Sequence, residues 1–120
     1  MKVAITVWGN RISPVFDSAQ TMLIAEIKDG EVLGERREFL PRQVGWQLAR
    51  MLVEQEIDTL ICGAISAHPA EIIQQTGISL IPFVSGNAEK FLTAYSSDGS
   101  IESFIMPGCS KDHIVQQEEL

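Results

Sequence analysis

Long apolar runs are missing from this chain. None approaches the ~20 residues that a membrane-spanning helix requires. The run near the N-terminus, residues 3–8, is too short for the apolar region of a signal peptide, and it leads into Gly9-Asn10-Arg11 instead of a small-residue cleavage site. Cysteine is scarce: the 120 residues hold two, Cys62 in an apolar run and Cys109 in a polar stretch. That excludes a disulfide framework and points to a reducing cytoplasm. Positive charge is in deficit, with 9 Lys and Arg against 16 Asp and Glu and a net charge of −7. Neutralising phosphates takes clustered cations, so a general nucleic-acid binder is excluded. A P-loop, a dinucleotide-binding glycine fingerprint and a nucleophile elbow are all absent.

What remains has the composition of an ordinary globular protein, 45% hydrophobic and 21% charged. At this length one domain closes one core without staples. Residues 1–106 read as that domain and the polar residues 107–120 as a flexible tail.

Periodicity gives the elements. Residues 2–8 form a β-branched apolar run ended by Gly9-Asn10, a first strand. Residues 20–27 read as a second, followed by Lys28-Asp29-Gly30-Glu31, a strong hairpin turn. The returning strand, residues 32–40, carries Glu35-Arg36-Arg37-Glu38, a charge density that suits an exposed edge protected against aggregation. After Pro41 the period changes: Val44, Leu48, Met51, Leu52 and Gln55 follow the spacing of an amphipathic helix. A buried strand over 59–62 then ends at Gly63. Ser66 or His68 starts a second helix that Gly77 closes, with Pro69 in its first turn. Residues 78–84 are another short strand, and Ser85-Gly86 opens a third helix whose apolar face is Ala88, Phe91, Leu92 and Tyr95. Residues 101–106 either add a strand or pack over the sheet.

The order β-β-β-α-β-α-β-α predicts an α/β fold: a five-stranded mixed sheet, order 3-2-1-4-5, with helices on both faces, in a ribonuclease-H-like layout. Ligands of such sheets bind at the carboxyl ends of the strands, where connections diverge. Here three segments meet: Asn10-Arg11 with Ser13, Cys62-Gly63 with Ser66 and His68, and Ser85-Gly86. Two lead into helix N-termini, which favour anions, and Arg11 adds positive charge. An anion-accepting pocket is expected there. Nuclease chemistry is not, because it needs carboxylates converging from the central strand and its neighbours. The first strand carries none, and Glu26 stands alone on the second. The soft metal ligands are Cys62, His68, Cys109 and His113. Of these Cys62 ranks first, because a rigid strand end loses little entropy on binding, whereas Cys109 and His113 sit on a tail that must first be ordered. A buried Cys62 would reverse that ranking, since its thiol would stay protonated and inert.

Met1-Lys2-Val3-Ala4-Ile5 followed by Arg11-Ile12-Ser13-Pro14-Val15-Phe16-Asp17 resembles the opening of the dinitrogenase iron–molybdenum cofactor biosynthesis family, which includes NifX-like proteins and the C-terminal domain of NifB-like proteins. Ile61-Cys62-Gly63-Ala64-Ile65 is similar to its strand-to-helix turn, Val84-Ser85-Gly86-Asn87-Ala88-Glu89 to the segment opening its last helix, and Phe104-Ile105-Met106-Pro107-Gly108 to a common tail. Gly63-Ala64 stands where many relatives have two glycines. The resemblance implies a ribonuclease-H-like fold without nuclease activity, and transient binding of an iron–sulfur or iron–molybdenum type cluster or its precursor. It implies cluster donor and acceptor proteins as partners, with no nucleic acid and no membrane, and a monomer or weak homodimer. A phosphometabolite-sensing module using the same crevice is the alternative.

Overall fold

The computed structural model describes residues 1–40, 46–97 and 99–106. At its centre lies β1 (Lys2–Trp8), whose residues 3–7 are all buried. Alternation on this strand serves two cores at once. Val3, Ile5 and Val7 face one side, and Ala4 faces the other. Such continuous apolar character is what a strand covered on both faces requires.

A hairpin packs along one flank of β1. Strand β3 (Thr21–Lys28) runs antiparallel to β1, with Ile5 opposite Leu23, and β4 (Glu31–Phe39) runs antiparallel to β3 at the sheet edge. The turn between them places Asp29 at φ 54° and Gly30 at φ 79°. Two consecutive positive φ values match the right-handed twist of the flanking strands, the reason Asp-Gly signals a hairpin. The register shifts once, where Glu26 pairs with Gly34 and Ile27 with Val32, leaving Leu33 as an extra residue in β4.

The other flank is parallel. Strand β5 (Thr59–Ile61) pairs with β1, and β6 (Ser79–Ile81) pairs with β5. Their crossovers supply α1 (Trp46–Glu54) and α2 (Ala67–Gln75), while α3 (Ala88–Ser97) follows β6. Leu48 and Leu52 of α1 and Ile73 of α2 pack over Ala4, Met22, Ile24 and Leu60. Phe91 and Leu92 of α3 pack over Ile5, Leu23, Ala25 and Ile61 on the opposite face. Phe91 also meets Phe104 edge-on, with ring centroids 5.1 Å apart.

The sheet order is β4-β3-β1-β5-β6, with the two-residue strand β2 (Arg11–Ile12) paired to β1. This sixth strand corrects the expected five. Residues 9–14 read as a loop in sequence, but Gly9 at φ 63° turns the chain back so that Val7 pairs Ile12 and Trp8 pairs Arg11. Strand β6 ends earlier than expected, at Ile81, because Phe83, at φ 62°, sends its N–H to the Gly63 carbonyl and leaves that of Cys62 to Val84. Residues 101–106 take the packing alternative: a 3-10 turn at Glu102–Phe104 and a single bridge from Ile105 to Val84. Val44 and the tail lie outside the described residues. None of the described helices is long and apolar enough to cross a membrane.

Candidate functional site

The segments expected to meet at the carboxyl ends of β1, β5 and β6 do meet there, and backbone hydrogen bonds hold them together. The Ile12 N–H donates to the Gly86 carbonyl at 2.8 Å, and the Ala88 N–H donates to that of Asn10 at 2.9 Å. The Ala64 N–H donates to the Pro14 carbonyl at 2.9 Å, and the Phe16 N–H donates back to that of Ala64 at 2.7 Å. Arg11 bridges to Asn87 and Val15 to Ala64 in the same way.

This knitting changes what the site is. The crevice between β1 and β5 is filled by the chain's own residues 12–16. A Cβ on Gly63 would sit 2.5 Å from the Pro14 carbonyl oxygen and closer still to that of Ser13. Gly63 is therefore present for close backbone approach, not to cradle a ligand. The amides of Ile12, Ser13, Phe16, Ala64 and Ala88 are all engaged by carbonyls, so they do not form an open anion cradle. The N-terminus of α3 is capped internally, where the Asn87 side-chain oxygen accepts from the Lys90 N–H at 2.9 Å. At the start of α2, the Ser66 hydroxyl donates to the Asp17 carboxylate, which places negative charge where an anion was expected.

Each predicted residue now has a place. Asn10 and Arg11 are exposed on the β1–β2 turn. Ser13 is buried, its hydroxyl donating to the Val15 carbonyl at 3.1 Å. Ser85 and Gly86 are half-buried, and Gly86, at φ 121°, packs against the Phe104 ring. His68 is exposed in the first turn of α2. Cys62 is 0% exposed and lies in the core beneath α1 and α2. Burial pushes its thiol well above the ordinary thiol range, and the nearby Asp17 charge adds to the effect. In this conformation Cys62 reaches no ligand at the surface, which reverses its ranking over Cys109 and His113. Those two lie outside the described residues. Among the described residues, no three or more His, Cys, Asp or Glu side chains converge as a metal site.

Two features escaped sequence reasoning. Phe83 sits at φ 62°, an outlier for a bulky residue. Its N–H donates to the Gly63 carbonyl and its carbonyl accepts from Met106, both at 2.9 Å. No glycine or asparagine at that position flags the turn. The second feature is an open cavity of about 290 Å³ on the β3 side, lined by Trp8, Gly9, Ser13, Val15, Ser18 and Gln20 among others. Of the predicted residues only Ser13 is among them.

The family model described as dinitrogenase iron–molybdenum cofactor matches residues 1–98. The crystal structure of PH0822 is 18% identical, with a TM-score of 0.74 over 80% of this chain and 88% of that one. MJ0327 from Methanocaldococcus jannaschii, described as a candidate dinitrogenase, is 22% identical with a TM-score of 0.66, covering 87% of this chain and 96% of its own. TM1290 from Thermotoga, described as a candidate NifB protein, is 20% identical with a TM-score of 0.61, covering 82% and 89%. Likeness at these identities shows the fold: a mixed α/β sheet with three helices. No curated protein matches the chain.

Two outcomes follow from the packing. Gly63→Ala forces backbone apart and lowers stability by ~1–3 kcal/mol, measured by urea denaturation. In Cys109→Ser, where Cys62 is the remaining thiol, a disulfide reagent such as Ellman's labels nothing in the native protein at pH 8 and one thiol after denaturation. Because the folded thiol's pKa lies above the unfolded one, the Cys62 contribution is constant at neutral pH. It is lost as pH climbs past the ordinary thiol value, where only the unfolded chain ionises.

Proposed function

Since the chain belongs to the dinitrogenase iron–molybdenum cofactor family, we propose that it is a non-enzymatic binding or carrier protein for an iron–sulfur or iron–molybdenum type cluster or its precursor. The family suggests a role in making or binding that cofactor. The carrying observation is the family match over residues 1–98, which takes in every strand and helix named above.

The cluster is cargo here, and the surface that receives it is the knitted end of the sheet. Arg11 supplies exposed positive charge toward an anionic cargo, and His68 an exposed imidazole. Cys109 and His113 are the further ligands. The described chain leaves from Met106, whose N–H is bonded to Phe83 at this same end. Cys109 follows three residues later, a reach of at most ~11 Å. Soft ligands on a polar tail suit transient holding better than a closed cage, because release needs no core to open.

The non-enzymatic reading rests on what the sheet carries. We read the layout as ribonuclease-H-like but without its acid centre. β1 has no carboxylate, Glu26 is alone on β3, and Asp17 is hydrogen-bonded to Ser66. Cytoplasmic cluster donor and acceptor proteins are the partners this role requires. A phosphometabolite sensor in the same crevice has less support, because the amides it would use are engaged by carbonyls.

Anaerobic reconstitution with iron, sulfide and molybdate tests the proposal through visible absorption and bound-metal content. The wild-type chain and Cys62→Ala retain the chromophore, while the double variant Cys109→Ala/His113→Ala loses most of it. A wild-type chain that binds no metal overturns the proposal, and loss confined to Cys62→Ala overturns the assignment of ligands.

A further inference from the structure

Among the described residues, no strand pairs with the outer edge of β4, which ends the sheet. A nine-residue edge strand presents a row of backbone donors and acceptors to solvent, and natural proteins blunt such edges with charge or a bulge. β4 has both, yet it also exposes two large apolar side chains. Leu33 is 59% and Phe39 86% exposed, at opposite ends of the strand. Between them runs Glu35-Arg36-Arg37-Glu38. We propose that this edge pairs antiparallel with β4 of a second copy of the chain, about a two-fold axis through Arg36, to form one continuous sheet.

The register follows from face and charge. Glu35, Arg37 and Phe39 pair with Ala25, Leu23 and Thr21, so they lie on the α3 face, and Arg36 and Glu38 lie on the other. A two-fold axis normal to the sheet keeps faces matched, so paired residue numbers on the regular stretch after the Leu33 bulge must have the same parity. Centring on Arg36 sets Glu35 opposite Arg37 of the second copy, twice by symmetry. It also brings Phe39 of each copy toward the Leu33 bulge of the other. Opposite charges directly across a ladder are stabilising. Arg36 meets its own counterpart, but it is already bonded to Glu38 at 3.0 Å and to Gln55. Glu38 of the second copy lies on its diagonal. Shifting the register by two residues either way breaks both Glu35–Arg37 pairs, and one of the shifts sets Phe39 opposite Glu35.

A further observation supports the arrangement. Within one chain Glu35 is hydrogen-bonded to Glu89 of α3, and that contact with burial raises its carboxyl above the ordinary value, with Arg37 partly offsetting. Arg37 of the same chain offsets only part of that effect, and Arg37 of the second copy brings a further cation to the two carboxyl groups. The Arg37 guanidinium uses one donor on the Gly9 carbonyl at 3.0 Å and has others to give. The paired strands run opposite ways, so the cargo-receiving ends point in opposite directions and both stay open. This inference does not rest on the cluster-carrier reading.

Seven residues per copy make a small interface, so the dimer is weak, on the order of 10 µM to 1 mM. Sedimentation equilibrium of the full chain across that range is the test, with circular dichroism confirming the fold of each variant. Wild type shifts from monomer to dimer, Arg37→Glu weakens association at least tenfold, and Glu35→Arg/Arg37→Glu restores it by exchanging the charges. Phe39→Lys weakens it as well. A wild-type chain that stays monomeric at 1 mM overturns the proposal and leaves the charges as edge protection. Association that Arg37→Glu does not weaken, or that the double variant does not recover, also overturns it.

Discussion

The seating of Ser13 and Pro14 on Gly63 organises the functional end of this molecule. Those carbonyl oxygens occupy the space where any side chain on residue 63 would begin. Once the 12–16 segment lies there, its amides and carbonyls interlock with Ala64 and Gly86, and the turn after β6 is drawn in through Phe83 and Met106. The three loops thus behave as one backbone-bonded cap over the strand ends. A cap built from mutual hydrogen bonds is rigid, because breaking any one of them exposes a buried polar group.

That rigidity decides what kind of site the protein can offer. An open sheet of this type ordinarily leaves a crevice at the carboxyl ends of its strands. Here the crevice is occupied from within, and Cys62, which lies under the cap, is sealed from solvent. In the carrier reading proposed above, cargo binds on the outer surface of the cap, with the exposed Arg11 and His68 and with Cys109 and His113. A carrier gains from this arrangement. Its cargo is held where a partner protein can reach it, and the fold need not open for exchange.

Much of the fold was legible because each signal had a local cause. Asp29-Gly30 demands positive φ values and received them, and the helical spacing of Ala88, Phe91 and Leu92 marks a face that is fully buried. The meeting of the three loops was legible from topology alone. What the sequence hid depended on non-local contact. Nothing adjacent to Arg11-Ile12 says that this pair folds back on β1, and nothing near Cys62 says that residues 12–16 will cover it. The unusual Phe83 conformation has the same origin: two long-range hydrogen bonds impose it, not the residue's own preference.

In the proposed role this cap receives a metal cluster as cargo. Anaerobic isolation of the protein from its native source, with elemental analysis and a parallel control protein, tests it most directly. Iron above the control, with or without molybdenum, accompanied by visible charge-transfer absorption that is lost on exposure to air, is the predicted result. Metal content equal to that of the control, with a colourless protein throughout, would mean that the protein carries no cluster.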